Sequence, residues 1–267
     1  MRRAVLIFAA VGVSAVLAMA MLHEPTRSAI GFLKAKWHGP YTVDDRLEQF
    51  GARVAERLRP SFAGAGLTYP PHEVTYVAFK DERVLELYAR NSASDAWRFV
   101  KKYAVQGASG RLGPKLVEGD YQVPEGIYKA EFLNPNSRFH VSIRLNYPNQ
   151  FDRNVAKIDN RVNLGGDIMI HGSSASVGCL AMGDEAAEEL FALSALVAKE
   201  RTRIVVSPTD FRSHGAVGPE AKHSWVPVLY EDIRRELTQY RRESNPSIEQ
   251  TPSSMLRMPT VAAHVQR

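Results

Sequence analysis

Phe139-His140-Val141-Ser142-Ile143-Arg144-Leu145-Asn146-Tyr147 alternates apolar and polar residues without a break. Phe139, Val141, Ile143, Leu145 and Tyr147 fall on one side of an extended chain. His140, Ser142, Arg144 and Asn146 fall on the other. A period of two predicts a half-buried β-strand with its apolar side toward a core. Further β-prone runs lie on either side. Val74–Lys80 and Val84–Ala89 are separated by Asp81-Glu82-Arg83 and predict a hairpin. Trp97–Val105, Asp167–His171 and Arg203–Val206 predict three more strands.

Helical periodicity is confined to three segments. From Thr42 to Leu58, the residues Leu47, Phe50, Val54 and Leu58 recur at spacings of three and four, with Thr42 or Asp44 as cap and Pro60 as stop. From Glu185 to Lys199, Asp184 is the expected N-cap and Ala186, Leu190, Leu193 and Val197 the apolar stripe. A last helix is expected over Leu229–Arg242. Strands without regular βαβ alternation predict a mainly-β domain carrying a few helices. The expected organisation is a leader over 1–22, a linker and helix over 23–70, a principal domain over 71–210, a loop and helix over 211–243, and a polar tail over 244–267.

Composition narrows the function. The chain has 267 residues, 34 Lys+Arg against 29 Asp+Glu, and a net charge of +5. Arg2, Arg3, Arg234, Arg235, Arg241 and Arg242 near the two ends outnumber that excess, so the middle carries little net positive charge and composition gives no support for nucleic-acid binding. A single cysteine excludes an internal disulfide framework and a Cys-rich zinc module. Met1-Arg2-Arg3 precedes a charge-free run, Ala4–Leu22, that contains Ala18-Met19-Ala20. This predicts a secretory signal, or an uncleaved membrane anchor, with the rest of the chain outside the cytoplasm. An unpaired thiol in an oxidising compartment is either buried and inert or reactive.

Cys179 sits where a reactive thiol would be useful. The strand Asp167–His171 delivers a histidine to its end. A small-residue loop follows, Gly172-Ser173-Ser174-Ala175-Ser176-Val177-Gly178, and ends at Cys179. Small residues leave the sulfur approachable. Backbone N–H groups near Gly178 and Cys179 are candidates for an oxyanion site. His171, eight residues upstream, is a candidate base or ion-pair partner for the thiol. On local chemistry alone, Cys179 as a small core residue and His171 as a structural histidine stay open beside this reading.

Ile170-His171-Gly172 and Ser176-Val177-Gly178-Cys179 resemble the signature of the L,D-transpeptidase catalytic domain, the YkuD-type family, and more closely its YafK-like subgroup. Gly113-Pro114-Lys115 through Glu118-Gly119-Asp120, Pro124-Glu125-Gly126-Ile127-Tyr128 and Leu145-Asn146-Tyr147-Pro148-Asn149 extend the resemblance over roughly residues 70–210. It implies a β-sandwich-like catalytic domain with helical N- and C-terminal extensions, acting on peptidoglycan stem peptides. It implies Cys179 as nucleophile attacking the carbonyl of diaminopimelate at its L-centre, with D-alanine leaving, and His171 as base. Gly172 would orient the imidazole through its carbonyl, and Ser176 and Gly178 would shape the oxyanion loop. Two departures stand out. Val177 replaces a second histidine, and Leu180-Ala181-Met182 replaces an apolar-Arg pair.

Three outcomes follow from this resemblance: transfer of the acyl group to an amine; hydrolysis, including cleavage of a peptidoglycan–lipoprotein linkage; or a wall-binding module without turnover. Arg144 and Asn146, on the polar side of the first strand, are candidate contacts for stem-peptide carboxylates or else a solvated face. Lys115 and Asp120 are expected in a surface turn, and no role is expected for Asp210, His214 or His223. His140, His171 and Cys179 lack metal-ligand spacing, so neither a metal nor a cofactor is expected.

Overall fold

The computed structural model describes residues 40–213, 218–219 and 222–242. The expected leader, most of the linker, His214 and the polar tail lie outside the described residues. Among the described residues, no helix is long and apolar enough to cross a membrane.

Helix α1 spans Val43–Gly64. Thr42 Oγ1 accepts from Asp45 N at 3.1 Å and Asp45 Oδ2 accepts from Thr42 N at 2.7 Å, which closes a capping box. Phe50, Val54, Leu58 and Phe62 recur every fourth residue and are all buried. Pro60 does not stop this helix, contrary to the sequence expectation. A proline inside a helix costs about 3 kcal/mol. Burial of Phe62, one turn beyond Leu58, offsets about 1.5–3 kcal/mol of that and carries the helix on to Gly64.

Nine strands form one sheet in the order β3-β2-β1-β9-β5-β6-β7-β8-β4. They are β1 (Glu73–Phe79), β2 (Val84–Arg90), β3 (Arg98–Ala104), β4 (Gly107–Ala108), β5 (Gly126–Ser137), β6 (His140–Leu145), β7 (Met169–His171), β8 (Leu180–Ala181) and β9 (Thr202–Ser207). Strand β5 is the joint of this sheet. Its first residues, Gly126–Lys129, pair with β9, and the stretch from Ala130 onward pairs with β6. Both halves feed one core, in which Tyr76, Leu87 and Ile204 from one half join Val141, Ile143 and Ile170 from the other. A smaller apolar cluster of Val77, Phe79, Val205, Ile233 and Leu237 lies on the opposite face of β1 and β9. Covered on both faces, β1 is buried from Val74 to Phe79, which is why it reads as a nearly continuous apolar run. The mainly-β expectation holds.

In β6, Val141, Ile143 and Leu145 are buried, as is Tyr147 just beyond it. Phe139 and Ser142 depart from the expected alternation: Ser142, on the polar side, is buried, and Phe139 is not. Phe139 precedes the strand in a tight turn, with His140 at φ +73°, and remains 37% exposed. Ile143→Ala should destabilise the protein by about 2–5 kcal/mol, because 1% exposure leaves no route for water to fill the gap. Arg144→Ala should leave the melting temperature nearly unchanged. Equal losses from the two in thermal unfolding would contradict the register.

Helix α2 (Gln150–Ile158) was not expected from periodicity. Its signal is the cap: Asn149 Oδ1 accepts from Asp152 N, and Asp152 Oδ2 from Asn149 N. Helix α3 (Asp184–Leu196) is buried on most sides rather than along a single stripe, with Ala187, Leu190, Phe191, Ala192 and Leu193 all inside. Glu189 on the same helix is also buried, and accepts from Arg57 Nε, Lys101 Nζ and Tyr103 OH. Asp184 is the first residue of α3 and not its cap; Gly183 occupies the cap position, at φ +75°. The chain leaves this helix early and turns at Ala198, φ +67°, before β9. Helix α4 (Val226–Leu237) starts and ends before the expected Leu229–Arg242, as the chain turns at Thr238–Gln239 and brings Tyr240 OH back to Glu236 Oε1.

Candidate active site

Strands β7 and β8 run parallel, with Ile170 opposite Leu180 and His171 opposite Ala181. Cys179 immediately precedes β8 and so stands level with Met169. Residues two apart on a strand share a face, which brings Cys179 and His171 to one side of this pair. The thiol is partly exposed, and Sγ lies 3.7 Å from the Asp167 carbonyl.

His171 is 2% exposed. Its Nδ1 lies 2.5 Å from the Gly172 carbonyl. A carbonyl only accepts, so Nδ1 carries the proton and Nε2 keeps its lone pair, the tautomer a base requires. The Phe139 ring stacks on the imidazole with centroids 4.6 Å apart and planes at 25°. Gly172 leaves no room for a side chain. A Cβ there would stand 2.6 Å from Asp184 Oδ1 and 2.7 Å from Phe139 O.

The loop before the cysteine is tied down by a serine that the sequence did not single out. Gly178, at φ +83°, donates its N–H to Ser109 Oγ at 2.6 Å. Ser109 Oγ in turn donates to Tyr121 O. Ser176 Oγ donates to Cys179 O at 2.6 Å and accepts from Ser109 N at 3.2 Å. Ser176 thus ties the cysteine turn to Ser109, and the Gly178 N–H is engaged by Ser109 and does not stand free for an oxyanion. Ser109 lies 69 residues before Gly178, so only the folded chain shows the pairing.

Burial pushes the Cys179 thiol up from its ordinary value, and the Asp167 charge adds to this; the Met169 N–H and Lys115 oppose it. Burial pushes the His171 imidazole down, against the Gly172 hydrogen bond. Both shifts favour the neutral forms. The directions of both shifts work against a preformed thiolate–imidazolium pair. Alkylation of Cys179 by iodoacetamide should rise with pH through a midpoint above the ordinary thiol value of 9.0. A rate plateau persisting below neutral pH would instead indicate an ion pair.

Residues 74–206 match the family model of the L,D-transpeptidase catalytic domain, YkuD. The chain belongs to this family. It is 32% identical over 160 residues to YafK of Escherichia coli strain K12, an L,D-transpeptidase-family protein, across 58% of this chain and 61% of that one. The chain thus spans about three fifths of the curated relatives it matches. Among solved structures, the helical cell shape determining protein Pgp2 of Campylobacter jejuni is 20% identical, over 55% of this chain and 50% of that one, with a TM-score of 0.40. L,D-transpeptidase 1 of Mycobacterium tuberculosis is 12% identical, over 51% of this chain and 62% of that one, with a TM-score of 0.28.

Within this YkuD domain the remaining candidates separate. Arg144 reaches the rim of the cysteine site, with Nη1 3.2 Å from Asp167 Oδ1 and Nε 3.1 Å from Glu131 Oε2. Asn146 does not reach it, because its Oδ1 accepts from Lys129 N at 2.8 Å and belongs to the β5–β6 pairing. Val177 is 69% exposed at the loop tip. His140 turns away from His171 and pairs with Glu188 Oε1 at 3.0 Å. Among the described residues, no group of three or more His, Cys, Asp or Glu side chains converges as a metal site would require. Lys115 is buried and not the surface residue expected. Asp210 belongs to a buried ionic network, held by Arg212, which also reaches Glu86. His223 pairs with Asp159.

Proposed function

We propose that this YkuD domain is a cysteine-dependent L,D-transpeptidase acting on peptidoglycan stem peptides. The observation that carries the reading is the β7–β8 register, which brings the chain's only cysteine and a correctly tautomerised histidine to one face. Sγ attacks the carbonyl of the stem-peptide residue, and His171 Nε2 takes the thiol proton. The tetrahedral intermediate collapses, the C–N bond breaks, and His171 returns the proton to the departing D-alanine amine. An acceptor amine then attacks the thioester and regenerates the thiol. Gly172 holds the imidazole, Ser176 and Ser109 hold the cysteine turn, and Arg144 offers a cation at the rim for a substrate carboxylate. No step calls for a cofactor.

The basic Met1-Arg2-Arg3 and the charge-free run after it support a location outside the cytoplasm, where the substrate lies. If the acceptor is water, the same thioester gives a hydrolase, and a peptidoglycan–lipoprotein amide becomes a candidate bond. Mass spectrometry of defined tetrapeptide muropeptides, incubated with and without an added amine, separates these outcomes. An acceptor-dependent cross-linked product is expected. Shortened peptide regardless of acceptor would assign hydrolysis. Unchanged muropeptide that still binds would assign a wall-binding module.

A further inference from the structure

Phe139 leaves an apolar ring in contact with water, whereas the imidazole it lies on is 2% exposed. The alternation through β6 predicts this ring in the core. The turn at His140 takes it out, with a φ of +73° that side chains other than glycine rarely adopt. A backbone conformation of this kind persists where its surroundings over-determine it.

The tip of the β5–β6 hairpin is held from several sides. Tyr41 N donates to Asn136 Oδ1 at 2.8 Å, and Asn136 Nδ2 donates to Tyr41 O at 2.7 Å. Arg46 in the first turns of α1 donates through Nε to Pro135 O at 2.8 Å. Glu188 of α3 holds His140. The main chain of Phe139 is itself bound on both sides: its N–H donates to Ser137 Oγ at 3.1 Å, and its carbonyl accepts from Gly172 N at 3.0 Å. The residue after the histidine is thus tied to the residue whose ring covers it.

His171 needs a fixed partner of this shape. The Gly172 carbonyl holds Nδ1 at one point, and a single hydrogen bond leaves the imidazole free to swing about it. A flat ring against the imidazole face removes that freedom. We infer that Phe139 is a positioning residue for the base: its ring, carried on a hairpin tip clamped by α1 and α3, fixes the plane of the His171 imidazole. The inference rests on His171 being the base, but its first test does not need turnover.

That test is ring-nitrogen NMR of protein labelled at histidine, with the His171 signals identified by their loss in His171→Ala. Wild type should show two widely separated signals, a protonated Nδ1 and a bare Nε2. In Phe139→Ala the separation should narrow, as the ring swings off the Gly172 carbonyl and the tautomers exchange. Phe139→Tyr, which keeps the flat face, should retain the wild-type pair. In turnover, Phe139→Ala should lower kcat by roughly ten- to hundredfold with KM unchanged. Phe139→Tyr should restore it. Thermal melting verifies folding. An unchanged separation in folded Phe139→Ala, or the same narrowing in Phe139→Tyr, would overturn the role. If Phe139→Ala does not fold, Asn136→Ala decides, since it loosens the clamp at an exposed position; an unchanged separation there rejects the inference. A wild type without turnover would reject the catalytic reading and leave the nitrogen signals to decide this one, so the two fail separately.

Discussion

Cys179→Ser is expected to abolish turnover, lowering kcat/KM roughly a thousandfold or more, while leaving the fold intact. The catalytic loss follows from the weak base. A neutral, buried imidazole can deprotonate a thiol, but a hydroxyl is a far harder acid, and no second cysteine exists to substitute. The structural tolerance follows from the contacts. Sγ is partly exposed, and its long contact of 3.7 Å to Asp167 O is one that a hydroxyl can keep. Stability should change by no more than about 0.5 kcal/mol. A variant that is inactive because it is unfolded would show itself in thermal melting and would not count in favour of the assignment.

His171→Ala should slow acylation by about 10²- to 10⁴-fold, the usual contribution of a positioned general base. The thiol itself should survive the change. At high pH, where hydroxide makes the thiolate, iodoacetamide should alkylate the variant as fast as wild type, because a neutral imidazole adds no charge near Sγ. A parallel fall in alkylation would mean that the site had collapsed around the missing ring, which packs against Phe139. In the wild type, burial lowers the His171 pKa, so the base stays unprotonated to lower pH. The acidic limb of kcat/KM should accordingly fall below the ordinary imidazole value of 6.5. A limb above that value would point to a His171 stabilised in its charged form.

The parts of this fold that show in the sequence are those governed by local period. Val141, Ile143 and Leu145 declare β6, and Phe50, Val54 and Leu58 declare α1, because each element buries one face and its residues alternate accordingly. Strand β5 hides for the converse reason. Over twelve residues it changes partners from β9 to β6, so its burial pattern breaks, and it contains Pro135. Phe139 misleads because a turn, and not the strand, decides where its ring goes. It lies over the His171 imidazole instead of in the core.

The site divides in the same way. His171, Gly172, Ser176, Gly178 and Cys179 stand within one short stretch that the sequence itself singles out, and the β7–β8 register sets His171 and Cys179 on one face. Ser109 and Lys115 come from a segment far upstream. Nothing local marks Ser109, and Lys115 looks like a surface lysine until Asp120 and three backbone N–H groups are seen around it. Arg144 and Asn146 show the limit of a shared face. Both lie on the polar side of one alternation, yet Arg144 reaches Asp167 beside the thiol, while Asn146 caps a pairing between strands.

The most direct test is intact-protein mass spectrometry after brief exposure to a tetrapeptide muropeptide without added amine. An acyl-enzyme on Cys179 predicts a single covalent adduct equal to the muropeptide less D-alanine, located by digestion to the peptide containing Cys179 and absent from Cys179→Ser. Product formation that persists after complete alkylation of Cys179, or an adduct of the same mass on Cys179→Ser, would contradict it.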